Sequence, residues 1–114
     1  DTYFNRGTSK KKLKDYNGAI SDFTKSIELE TEARYLKDAY YSRGNAKTSL
    51  KDYYGAISDY TKAIEIDPNF SNSYKNRGIE KENLGDLSGA CADWKKAASL
   101  GDLDSAGWVE KHCK

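Results

Sequence analysis

Methionine is absent from this chain of 114 residues, proline and histidine occur once each, and cysteine twice. Each shortage excludes something. A structural zinc needs four ligands and a catalytic one three plus water. His112 beside Cys113, with Cys91 as the one other thiol, falls short, so no metal is expected. No glycine-rich loop follows a strand pattern, and no serine or cysteine has a base to spare, so neither catalysis nor a cofactor is expected. Charge of one sign is lacking too. Nineteen Lys and Arg against 18 Asp and Glu leave a net +1, too weak a field to call for nucleic acid or an anionic membrane. No apolar run approaches the roughly 20 residues of a membrane helix. Without methionine, and with Asp1 already inside a helical pattern, the sequence reads as a fragment or a processed chain. A missing signal peptide therefore says nothing about the original product.

What is present repeats itself. The stretch Tyr40 to Phe70 reads as two amphipathic helices joined by a tight turn. A slide of 34 residues puts Tyr40 on Tyr74, Gly44 on Gly78, Leu50 on Leu84, Ala56 on Ala90, Tyr60 on Trp94 and Ala63 on Ala97. A slide of 37 the other way puts Tyr40 on Tyr3, Gly44 on Gly7, Tyr53 on Tyr16, Ala56 on Ala19 and Tyr60 on Phe23. A fixed period in the thirties marks a repeat protein. The hydrophobic share of 37% and charged share of 32% suit a thin, solvated stack better than a globule with a deep core.

The middle copy carries Tyr40, Gly44, Tyr53, Ala56, Tyr60, Ala63 and Pro68 in order, and by these residues the chain resembles the tetratricopeptide repeat family. The resemblance implies an all-α, right-handed superhelical solenoid of antiparallel helix pairs. Residues 1–101 make three repeats, at about 1–33, 37–70 and 71–101, and residues 102–114 form a C-terminal capping helix. One departure recurs. Where the family usually has leucine just before the first-helix glycine, this chain has Arg6, Arg43 and Arg77.

In chain order, helices are expected over Thr2–Leu13 and from about Tyr16 to Leu29, with Asp15 as N-cap. The lysines 10, 11, 12 and 14 read as a solvated helix end complementing the dipole. The pairs Gly18-Ala19, Gly55-Ala56 and Gly89-Ala90 are read as sites of close helix approach. Between the first two copies three extra residues appear and nothing breaks a helix, so the next helix is expected to start near Thr31 or Glu32 and run to Ser49. Helices then follow over about Asp52–Ile66, stopped by Asp67-Pro68, Asn72–Asn83 and Asp86–Leu100, with Gly101 as a C-cap. The tail, Asp102 to Cys113, is expected to cover the last apolar face with Leu103, Ala106, Val109 and Cys113.

Two constellations stand out. Arg6, Arg43 and Arg77 each precede an aspartate, Asp22, Asp59 or Asp93, by sixteen residues. Antiparallel helices bring such positions together, which predicts one structural ion pair per repeat. Cys91 and Cys113 fall nearly level across the Gly101 turn, given a rise of ~1.5 Å per residue. A disulfide would place the protein in a periplasm or outside the cell. Two buried thiols, and a cytoplasmic protein, are the alternative.

Stacked repeats line a concave face with their first helices. The family pattern puts Phe4, Asn5 and Thr8, then Tyr41, Ser42 and Asn45, then Lys75, Asn76 and Ile79 on that face. Exposed aromatic rings there need cover, and asparagines can grip a peptide backbone. The family's carboxylate clamp of lysine, asparagine and arginine maps onto Phe4, Thr8, Ser42, Asn72 and Asn76. Its cations are missing, so a neutral or mildly amphipathic peptide is the expected ligand. The chain is read as a non-catalytic module that binds a protein or peptide. Its rival is an architectural spacer or a unit that self-associates weakly through its uncapped N-terminal end.

Overall fold

The computed structural model describes residues 1–114 as seven α-helices and no strand: α1 Thr2–Lys12, α2 Tyr16–Leu29, α3 Ala33–Ser49, α4 Tyr53–Ile66, α5 Ser71–Asn83, α6 Leu87–Ser99 and α7 Leu103–His112. Each packs on the next, and α1 also touches α3. The product is an elongated solenoid of helix pairs, 44 × 26 × 19 Å.

The turns inside the pairs share one construction. The helix ends with a residue in left-handed conformation, Lys14 (φ 63°), Lys51 (φ 62°) or Gly85 (φ 84°). The next residue is an aspartate whose N–H returns to the carbonyl of Lys10, Lys47 or Lys81 at 2.8–2.9 Å, as in a Schellman turn. The same aspartate then caps the following helix. Asp15, Asp52 and Asp86 accept from the N–H of Gly18, Gly55 and Gly89 at 3.0, 3.0 and 2.8 Å. A Cβ at any of these glycines would collide with its capping carboxylate. They serve the cap, then, and not the close helix approach expected of them.

Close approach belongs to the first-helix glycines. Cβ atoms on Gly7 or Gly44 would lie 2.8 Å from the rings of Phe23 or Tyr60, and one on Gly78 would lie 2.5 Å from Trp94. Those three aromatics are almost fully buried, among the alanines Ala19, Ala39, Ala46, Ala56, Ala63, Ala90 and Ala97. Small residues let the helices close over one large ring per repeat, which is how a thin stack excludes water.

One helix start and one helix face are set by single side chains. Glu30 is extended and its carboxylate accepts from the N–H groups of Thr31 and Glu32 at 3.0 and 2.9 Å. This local bonding competes with helix, so α3 begins at Ala33 and the extra residues add a turn to its start. In α7 the covering face is Ser105, Trp108, Val109 and Cys113, while Leu103 is 84% exposed and Ala106 is also exposed. The phase is set by Asp102, which caps the helix through Ser105 N and fixes the fully buried Ser105 against the stack.

Candidate functional site

The ion pairs sit between the two helices of each repeat. Arg6 donates from Nε and Nη2 to Asp22 at 2.8 and 2.7 Å. Arg43 reaches Asp59 at 2.9 and 2.8 Å, and Arg77 reaches Asp93 at 2.9 and 2.7 Å. All three carboxylates are buried. Three further partners were not read from the sequence. Lys10, Lys47 and Lys81, one turn after each arginine, meet the same aspartates at 3.1, 3.2 and 3.0 Å. The rings of Tyr3, Tyr40 and Tyr74 lie 5.4–5.6 Å from the guanidinium carbons. Arg43 and Arg77 also donate Nη1 to Thr24 and Thr61 of the preceding repeat at 3.1 Å. Arg6 has no such threonine, and its side chain is 55% exposed against 18% and 16% for the other two. The Arg6 hydrogen bond holds the Asp22 carboxyl down at about 2.

On the face formed by α1, α3 and α5 a polar network joins two repeats. The Tyr60 hydroxyl donates to Asn45 Oδ1 at 2.6 Å, and Asn76 Nδ2 donates to Tyr41 Oη at 2.9 Å and to Asn45 Oδ1 at 3.2 Å. Thr48 Oγ1 lies 3.2 Å from Tyr60 Oη and 3.1 Å from Glu80 Oε1. Glu80 is 1% exposed and its Oε2 has no partner. Burial pushes its carboxyl up from the ordinary range, and burial likewise raises the Tyr60 hydroxyl. Asn45 Nδ2 and Asn76 Oδ1 take no part in this network. The asparagines are thus held by one another, with half of each amide left without a bond in the network.

The other expected face residues divide. Asn5 is exposed; Phe4 and Ser42 are half-buried, with Phe4 packed 5.5 Å from Phe23. Thr8 bonds back to the Phe4 carbonyl at 3.1 Å. Ile79 packs toward Trp94 and Trp108, whose rings stand edge to face at 5.3 Å. The ammonium of Lys75 is drawn to Asp102 and Asp104 at the start of α7, at 3.7 and 3.6 Å. Two clefts open on this side. One, of about 430 Å³, lies between α1, the end of α2 and the start of α3. The other, of about 250 Å³, is lined by Ile79, Glu82, Trp94, Trp108 and His112.

Cys91 and Cys113 are joined by a disulfide across α6 and α7, with Cα atoms 5.6 Å apart. No group of three or more His, Cys, Asp or Glu side chains converges as a metal site. No helix is long and apolar enough to cross a membrane.

A ladder of helix pairs with an inner face of first helices defines a helical-repeat scaffold. Profiles of the tetratricopeptide repeat match residues 1–32, 38–70 and 59–92, and the chain belongs to that family. The third profile is offset by a helix, starting inside α4. No curated protein matches the sequence. Among solved structures, the first tetratricopeptide domain of Spaghetti (RPAP3) bound to an HSP90 peptide superposes with a TM-score of 0.88 at 22% identity, over 98% of this chain and 88% of that one. It shows the fold. The Arabidopsis OM64 domain gives 0.86 at 27% identity, covering 98% and 92%. The second domain of human RPAP3, solved in complex with an HSP70 peptide, gives 0.85 at 26%, covering 98% and 92%.

Proposed function

We propose that this chain is a non-catalytic interaction module that lays a peptide segment of a partner protein along the face of α1, α3 and α5. The observation that carries the reading is the α3–α5 network. Tyr41, Asn45 and Asn76 are fixed by mutual hydrogen bonds with one amide group of each asparagine unspent. Donors and acceptors held in place lose little entropy on binding. The second domain of human RPAP3, similar over nearly its whole length, binds an HSP70 peptide. Here the positions of a carboxylate clamp hold Phe4, Thr8, Ser42, Asn72 and Asn76, so an acidic terminus is not the favoured ligand. The disulfide supports residence in an oxidising compartment.

The test is selection from a random peptide library, followed by titration of the ¹⁵N-labelled protein with an enriched peptide. Amides of Asn5, Ser42 and Asn76 are expected to shift, while those of Tyr54 and Lys95 on the second helices stay put. Shifts centred on α2, α4 and α6 would sink the reading, as would a library that enriches nothing.

A further inference from the structure

Glu80 is the buried end of the α3–α5 network, and it has fewer partners than an ionised carboxylate needs. It is 1% exposed; Oε1 takes a bond from Thr48 Oγ1 at 3.1 Å, and Oε2 takes none. From α3 it faces Thr48, from α4 the Tyr60 hydroxyl, and from its own helix the amide of Asn83. No lysine or arginine pairs with it. Arg43 and Lys47 of α3 are committed to Asp59 on α4, and Arg77 and Lys81 of α5 to Asp93 on α6. Glu82, the next acid along α5, is exposed. A lone charge at the Glu80 position is strongly disfavoured, and a proton removes it.

The protons of the network are placed differently in the two states. An ionised carboxylate only accepts, so the Thr48 proton goes to Glu80 Oε1, while the Tyr60 proton goes to Asn45 Oδ1 at 2.6 Å. The 3.2 Å contact between Thr48 Oγ1 and Tyr60 Oη is then left without a proton. A protonated Glu80 donates to Thr48 Oγ1 instead. That releases the Thr48 proton to Tyr60 Oη, against the competing Gly44 carbonyl at 3.1 Å. The donors then run in one direction, from Glu80 through Thr48 and Tyr60 to Asn45, and bonds so aligned polarise one another.

Resting on the peptide-binding reading above, we propose that Glu80 is a proton switch for the groove. Its protonation completes the chain to Asn45, stiffens the Asn45–Asn76 pair and makes the free Asn45 amide a stronger donor to a peptide carbonyl. Affinity for the peptide is high below the Glu80 midpoint and falls as pH rises through it. Linkage is reciprocal, so a bound peptide raises that midpoint in turn.

The test starts with the free protein. In the ¹³C,¹⁵N-labelled full chain, the Glu80 carboxyl carbon is expected to titrate above the ordinary 4.5. The side-chain amide signals of Asn45 and Asn76 should move with the same midpoint. Glu80→Gln keeps a neutral donor to Thr48 and should hold those signals at their acid positions at every pH. Thr48→Val breaks the chain, so that Glu80 still titrates and the asparagines no longer follow. An end-blocked peptide from the library, without titratable side chains, is expected to bind about threefold more tightly below the midpoint than above it, and to raise the midpoint by about half a pH unit. With Glu80→Gln its affinity should not change with pH. Asparagine signals that stay flat through the Glu80 midpoint overturn the inference, as does a midpoint at or below 4.5. A peptide affinity that is equal at both pH values overturns the switch and leaves the groove standing. A library that enriches nothing overturns the groove, while the titration of the free protein still judges the chain from Glu80 to Asn45.

Discussion

Lys14 and Lys51 hold the left-handed conformation that Gly85 holds at the equivalent turn. A side chain there crowds the following carbonyl at a cost of about 1 kcal/mol, which glycine avoids. Lys51→Gly is therefore expected to raise the melting temperature by ~4 °C, and Gly85→Ala to lower it by a similar amount. Thermal unfolding followed by circular dichroism checks both, and a fall for Lys51→Gly would contradict the turn geometry. Glu80 and Asp22 set opposite pH slopes. Burial raises the Glu80 carboxyl, so the folded state keeps that proton longer than the unfolded one. Its contribution is complete below the unfolded value near 4.5 and declines as pH rises through the raised folded value. Asp22, held down by Arg6, contributes fully above 3.8 and loses that contribution as pH falls toward 2. Glu80→Gln should therefore melt above the parent at pH 7 and level with it at pH 4. An advantage that persists unchanged at pH 4 would show that charge is not the cause.

At the scale of helices, the α6–α7 disulfide fastens a terminal element that covers Trp94 with Trp108. Closing 22 residues of chain restricts the unfolded state, a stabilisation of about 3 kcal/mol. Cys91→Ser with Cys113→Ser should lose that much in urea unfolding and red-shift the tryptophan emission as α7 loosens. Unchanged emission and stability would mean α7 is held by packing alone. The helices themselves were legible because the period superposes three imperfect copies, and each supplies what another lacks. The face of α7 was misread where one side chain overruled the pattern: Asp102 caps through Ser105 and turns Leu103 and Ala106 outward. The Arg–Asp pairs were legible from a spacing of sixteen seen three times. Lys10 was hidden in a run of lysines, although Lys47 and Lys81 recur four residues after Arg43 and Arg77. Thr24 and Thr61 were missed because their bonds cross repeats, which a within-repeat reading does not reach. The half-spent amides of Asn45 and Asn76 depend on side-chain geometry that no spacing encodes.

For the whole molecule, stability is expected to run along the ladder, since each repeat touches only its neighbours. Asp59 lies at its centre, buried under Arg43 and Lys47, whereas Asp52 is an exposed cap. Asp59→Ala strands two cations and should cost about 3 kcal/mol or more; Asp52→Ala should cost about 1 kcal/mol. Equal urea midpoints for the two would refute the ladder.

The bridge from Cys91 to Cys113 also redirects mechanical load. A pull on Lys114 passes through sulfur to Cys91 in α6 and leaves α7 unloaded. Stretched to its limit, the oxidised chain would stop short of the reduced one by roughly 22 residues of contour, on the order of 75 Å.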